Sequence, residues 1–240
     1  MYYYGGLGYY SSMIVLIPAM IFTIIVQANI KSAFNRYSNI TNSRRITGRE
    51  AARLVLDSNG LTNVPVNIIG GDALTNYYDP SSNSVNLSRA VGETDSIASM
   101  CIACHEVGHA IQHARGYFPI KIRNFLVPVV NLTSRFSWPL IFLGLLLSTT
   151  NAYGSLLFNI GTLCFVFVVL FHLVTLPVEL NASSRALKQM EAAGIVDKED
   201  MYGSRKVLRA AAMTYVAALA ASILQLLRLL ILAGGRRRDD

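Results

Sequence analysis

The chain has 240 residues, of which 52% are hydrophobic and only 15% charged, well below the quarter that soluble domains carry. Its formal charge of +7 comes without a basic face interleaved with stacking aromatics, so no nucleic-acid-binding module is read and no nucleic-acid partner is expected. The apolar residues are clustered, which makes this a membrane protein, and three cysteines are too few for a disulfide scaffold.

Met1 to Tyr10 is rich in Tyr and Gly and carries no charged side chain. Ser11 to Ala28 is almost wholly apolar and long enough to span a bilayer. A signal peptide would want a basic start, which is missing. The stretch therefore reads as a retained first span, with Tyr9 and Tyr10 at the interface and a kink at Pro18.

From Asn29 the character changes. Thr47-Gly48-Arg49-Glu50 spells a capping box and Gly60 a C-terminal stop, so Thr47 to Asn59 is predicted as a helix outside the membrane. Val64 to Ile69, Asn76 to Tyr78 and Ser84 to Leu87 read as short strands. Gly70-Gly71-Asp72 and Asp79 to Asn83 are the turns between them. A second helix is predicted from Thr94 or Asp95 to Arg115, stopped by Gly116. Helix, small sheet and helix make a compact α+β unit, and an open strand edge there could hold an extended peptide by main-chain hydrogen bonds.

The second helix contains His105-Glu106-Val107-Gly108-His109. Two histidines four apart lie one turn apart on one helix face and can converge on one zinc ion. The intervening glutamate faces the open side, where it can take a proton from a water. The pattern alone also fits an ordinary helix with two polar residues on one face.

Val127 to Ser148 is the next apolar run, interrupted by Pro128, Arg135 and Pro139. Alternatively, Pro119 to Arg135 lies at the interface before a shorter span. Ser148 to Tyr153 reads as a tight polar turn. Ala152 to Leu176 is a clear span, with Asn159 and His172 inside it, and Pro177 is predicted to end it. Val178 to Arg209 is polar and helical, broken near Gly194 and Gly203. Ala210 to Leu227 is a fourth span, in which Ala217 with Ala221, and Ala218 with Ser222, offer close-packing faces. Arg228 snorkels or pairs near its end, and the tail is Arg236-Arg237-Arg238-Asp239-Asp240.

Four spans put both chain ends on one side and the loops after spans one and three on the other. Lys and Arg number 10 from Lys31 to Arg123 and 6 from Arg185 to Arg209, against three in the tail. The positive-inside rule then places the histidine-bearing side in the cytoplasm, with the tail as a counter-signal. The segments expected are 1–28 (N-terminal segment and first span), 29–124 (the unit with the short sheet and the His-Glu-x-x-His helix), 125–177 (hairpin of spans two and three), 178–209 (a polar helical segment) and 210–240 (fourth span and tail).

A catalytic zinc takes three protein ligands and one open position. His113 lies four residues after His109, but one straight helix rarely brings three consecutive turns onto one ion. The longer spacing with a glycine turn is also missing from Ala110-Ile111-Gln112-His113. It reads as packing beside the site or facing headgroups, with a ligand role as the lesser alternative. The better third ligand is Glu179, in Glu179-Leu180-Asn181-Ala182-Ser183. It lies on the same predicted side, beyond Pro177, with small Ala182 permitting close approach. The bland alternative is a solvated carboxylate at a helix start.

His-Glu-x-x-His followed by Glu-x-x-Ala-Asp/Ser resembles membrane-embedded zinc proteases with a glutamate third ligand (gluzincins), such as the heat-shock and prenyl-protein membrane proteases. More closely, the chain resembles the bacterial YugP-like neutral zinc metallopeptidases in its Tyr- and Gly-rich start, Ala103 to Ala114, Leu176 to Ala186, and Tyr215 to Leu230. The resemblance implies one zinc ion held by His105, His109 and Glu179, with Glu106 as general base. Ser183 stands where the wider group often has an aspartate that steadies a ligand histidine. Asn181 and Arg185 are candidates for steadying an oxyanion.

Two rival readings remain. Cys101-Ile102-Ala103-Cys104-His105 spells a c-type haem attachment motif. It lies mid-helix on a predicted cytoplasmic side, however, and leaves Glu106, His109 and Glu179 without a role; the bland reading of both cysteines is small core residues. The other rival is a non-catalytic zinc-binding scaffold. The expected protein is a four-span, mainly α membrane peptidase with a small α+β unit on one face. It would cleave membrane proteins or peptides near the inner face, in membrane-protein quality control.

Overall fold

A computed structural model describes residues 12–147 and 152–236. The helices are α1 (Ile17–Tyr37), α2 (Gly48–Ser58), α3 (Arg89–Gly92), α4 (Ile97–Ala114), α5 (Phe118–Leu147), α6 (Ala152–Ala192) and α7 (Lys198–Arg236); the strands are β1 (Val66–Ile69), β2 (Tyr77–Asp79) and β3 (Ser84–Ser88). The protein is mainly helical with a small three-stranded sheet, and four helices are long and apolar enough to span a membrane. The expected interface residues Tyr9 and Tyr10, most of the turn from Ser148, and the tail beyond Arg236 lie outside the described residues.

The chain divides into two compact units: Met1–Ile25, Ile122–Leu176 and Tyr215–Asp240 form one, and Val26–Lys121 with Pro177–Thr214 the other. The first is built from apolar helix. Ile141, Phe158, Phe165 and Leu229 are its buried centre. Gly144 and Gly161 bring α5 and α6 together: a Cβ on Gly144 would stand 2.4 Å from the backbone nitrogen of Phe158, and one on Gly161 2.8 Å from Ile141. Ser137 Oγ donates to the Gly161 carbonyl across the same contact, at 3.1 Å. Small residues thus mediate close packing at α5 and α6 as well as being available on α7.

The second unit follows its local signals. The capping box of α2 forms in both directions, Glu50 N–H to Thr47 Oγ1 at 3.3 Å and Thr47 N–H to Glu50 Oε2 at 2.7 Å. Three helices end in the same device. Gly60, Gly116 and Gly194 adopt φ of +74°, +63° and +63°. The next N–H then reaches back to the carbonyl of Leu56, Gln112 or Met190, at 2.9, 2.9 and 3.2 Å. Glycine is favoured at these sites because a Cβ resists the left-handed region.

The strand order is β1-β3-β2, with β1 parallel and β2 antiparallel to β3. Central β3 is buried along its length. Leu87, Val55, Met100 and Val107, all at 0% exposure, join sheet, α2 and α4 in one core, which also takes in Met190 of α6. The chain after α1 is tied to the start of α4, with Ile97 N–H bonded to the Ile40 carbonyl at 2.9 Å and Asn42 N–H to that of Asp95 at 2.8 Å. It is also tied to the start of α7, where Ser43 bonds the Asp200 carboxylate.

Three expectations about helix breaks fail. Pro177 does not break the helix that carries the third span: α6 runs through it to Ala192. An interior proline costs about 3 kcal/mol, but Val178, Ala182, Ala186 and Met190 form a buried stripe beyond it, none more than 1% exposed. Burial of that stripe offsets the lost hydrogen bond. Pro128 and Pro139 likewise sit inside an unbroken α5, so no separate interface helix forms before the span. Gly203 lies within α7. Its missing side chain admits the Tyr37 ring and Ile97, each within 2.9 Å of where a Cβ would be; it is a packing glycine, not a break.

Candidate metal centre

Ser96 caps α4, its Oγ accepting from Ser99 N–H at 3.1 Å. The helix is buried on nearly every face, so the polar side chains it carries must find partners within the protein. His105 and His109, one turn apart, stand edge to face, with ring centroids 4.9 Å apart at 87°. Glu179, only 3% exposed, comes from α6. Its Oε2 lies 3.2 Å from His105 Nε2 and 3.5 Å from His109 Nε2. One ligand atom from each of the three residues falls within 4.8 Å of the others, and this is the one such group among the described residues.

The spacing fits a zinc ion. Ligand atoms about 2.0–2.2 Å from a tetrahedral ion stand about 3.4 Å apart, as the two nitrogen–oxygen distances do. Two imidazoles and a carboxylate are also a donor set suited to zinc and one that leaves a position open.

The far side of each ring is held. His109 Nδ1 lies 3.0 Å from Gln112 Oε1, while Gln112 Nε2 donates to the Val178 carbonyl at 2.8 Å and to Asn181 Oδ1 at 3.0 Å. Because Oε1 can only accept, His109 carries its proton on Nδ1 and presents the lone pair of Nε2 to the centre. Ser183 Oγ is 3.1 Å from His105 Nδ1, which turns Nε2 of that ring inward too. Neutral groups thus hold both rings, where a carboxylate is the common partner of a ligand histidine.

Glu106 is buried beside the pair at 8% exposure, and its Oε2 accepts from the main-chain N–H of Tyr78 in β2 at 3.0 Å. The edge strand of the sheet thereby fixes this carboxylate. The Tyr78 hydroxyl is 2.7 Å from both His113 Nδ1 and Asn83 Oδ1. Burial, and then the charge of Asp79, push that phenol up to about 12, so it remains protonated.

His113 therefore packs against β2 and is absent from the group of three. Asn181 and Arg185 bond each other at 2.7 Å, and the Arg185 guanidinium lies over the Tyr117 ring at 5.7 Å. Cys101 and Cys104 are fully buried in the core, which leaves neither sulfur exposed for a haem thioether. Sequence reasoning passed over Gln112 and Tyr78. Gln112 carried a signal, three residues beyond His109 on the same face. Tyr78, 28 residues before Glu106, carried none.

The two segments meet because Gly108 has no side chain. A Cβ there would stand 2.6 Å from the Ala182 carbonyl oxygen. The expected small residue Ala182 is one half of the contact, and Gly108 is the other.

Comparison with known proteins points to the same metal. A family model described as "Putative neutral zinc metallopeptidase" matches residues 12–234. The chain is 43% identical over 222 residues to the "Putative membrane protease YugP" of Bacillus subtilis (strain 168), covering 92% of this chain and 96% of that one. No solved structure matches it. With the family model matching nearly the whole chain, from the first described helix to the end of α7, this membrane protein belongs to the neutral zinc metallopeptidase family that the model describes.

Proposed function

We propose that the protein is a membrane-embedded zinc metalloendopeptidase. The observation that carries this reading is the convergence of His105, His109 and Glu179 within 4.8 Å, with the Glu106 carboxylate fixed beside them by Tyr78 N–H. His105, His109 and Glu179 would hold one zinc ion. Bound there, zinc supplies Lewis-acid polarisation of a peptide carbonyl and lowers the pKa of a water.

The chain's own residues do the rest. Glu106, with Oε2 anchored, has Oε1 free to take the proton of the attacking water and to return it to the departing amine. Gln112 and Ser183 hold the two imidazoles so that neither must reorganise during the reaction. Four candidate spans support a substrate that is a membrane protein or membrane-associated peptide, and turnover of such proteins as the cellular role. The 16 Lys and Arg on the two loops that share this side, against three in the tail, support a cytoplasmic site.

The test is cleavage of a membrane-protein substrate by detergent-purified enzyme of measured zinc content. Glu106→Gln should keep its zinc and lose cleavage by about 10²–10⁴-fold. Undiminished cleavage by that variant would refute the assignment.

A further inference from the structure

Beyond the metal centre, the second unit carries a groove of about 520 Å³ between the later turns of α6 and the first turns of α7. That is the size of a small-molecule site. Its lining is apolar at one end and mixed at the other, where Leu187 and Leu208 stand among the basic residues. Leu180 of α6 and Ala212 of α7 line one end; Leu180 is four residues past the apolar run that closes at Leu176, and Ala212 lies where the next one begins. The charges at the mixed end are Lys188, Arg205 and Arg209 against one carboxylate, Glu191.

The three cations are unspent. Lys188, Arg205 and Arg209 take no part in the ion pairs seen among the described residues, such as Arg53 with Asp57 or His105 and His109 with Glu179. At 1.5 Å per residue, Arg209 stands about 4–5 Å beyond Ala212, and Lys188 about 12 Å beyond Leu180. Long basic side chains can fold back over such distances. The headgroup layer outside the hydrocarbon core is itself about 5–7 Å deep on each face. Apolar surface at one end and cations one to two turns outward match an amphiphile with an anionic head, better than an acidic peptide, which has no apolar end to place at Leu180 and Ala212. We propose that this groove binds an anionic phospholipid, its phosphate between Arg209, Arg205 and Lys188 and its acyl end over Leu180 and Ala212. Ser183, which holds His105, lines the same groove, so the lipid lies next to the metal helix.

The experiment counts lipid retained by the full-length protein in native mass spectrometry, after incubation with equal amounts of phosphatidylglycerol and phosphatidylcholine. Retention is a binding readout, so it is independent of whether the protein cleaves anything. The wild type is expected to prefer phosphatidylglycerol. Each cation removed should cost about fivefold, so K188Q/R205Q/R209Q loses about a hundredfold. A control triple, R49Q/R89Q/R115Q, should keep the preference. Glu191→Gln should raise retention about fivefold, a gain that misfolding cannot produce. Equal loss in both triples, no preference in the wild type, or no gain on Glu191→Gln would overturn the proposal. So would displacement of the lipid by inorganic phosphate or by an oligoglutamate peptide, which would make the groove a site for a free anion or an acidic chain.

Discussion

Gly108 and Ala182 are in main-chain contact: a Cβ on Gly108 would lie 2.6 Å from the carbonyl oxygen of Ala182 and 3.2 Å from its Cα. The residue between Val107 and His109 thus sets how closely α4 approaches the segment of α6 that carries Glu179. Since the clash is with backbone and not with a flexible side chain, Gly108→Ala must move a helix. It is expected to destabilise the protein by about 1–3 kcal/mol and to lower bound zinc sharply, because Glu179 moves away from both imidazoles. Zinc content and the thermal midpoint check this; a variant with full zinc and an unchanged midpoint would contradict the packing described.

Gln112 joins His109 to α6. Its side chain is wholly buried and makes three hydrogen bonds. Gln112→Leu keeps the volume but removes the acceptor facing His109 Nδ1. Zinc affinity should fall about 10–100-fold, measured by competition with a chromogenic chelator. Gln112→Glu keeps an acceptor and should hold zinc better than the leucine variant. Equal affinity of wild type and Gln112→Leu would remove the positioning role.

Ser183 faces His105 Nδ1 without a negative charge. Ser183→Ala should weaken zinc binding by about tenfold or more. Ser183→Asp should bind more tightly than the alanine variant, since a carboxylate accepts from Nδ1–H and raises the basicity of Nε2. The order of affinities, alanine below aspartate, is the measured outcome, and the reverse order would show that this hydrogen bond does not steady the ring.

The two core thiols predict a pH dependence of stability. Burial pushes Cys101 up to about 12, and burial together with Cys101 raises Cys104. Folded protein then keeps protons that the unfolded chain releases above the ordinary thiol value of about 8.5. Stability is fully present below that value and is lost as pH rises toward 12, by up to about 1.4 kcal/mol per pH unit for each thiol. The difference in thermal midpoint between wild type and C101A/C104A should shrink from pH 8 to pH 10. A constant difference would mean that these thiols are less shielded than the packing indicates.

Much of the protein was legible in local sequence. The capping box at Thr47, the glycine stops at Gly60, Gly116 and Gly194, the three strands and the four apolar helices follow from interactions within a few residues. So does the one-turn spacing of His105 and His109, and the pairing of that motif with Glu179 was readable as a resemblance. The tertiary structure decided what depends on contacts distant in the chain. Pro177 and Gly203 read as breaks because their local cost is visible, whereas the compensating contacts, a buried stripe from Val178 to Met190 and the Tyr37 ring, come from elsewhere. The hold on Glu106 by Tyr78, the hold on His109 by Gln112 and the seat of Ala182 against Gly108 are likewise consequences of packing. Periodicity and caps report on backbone geometry one turn at a time, while a metal centre is set by where separate turns are brought to meet.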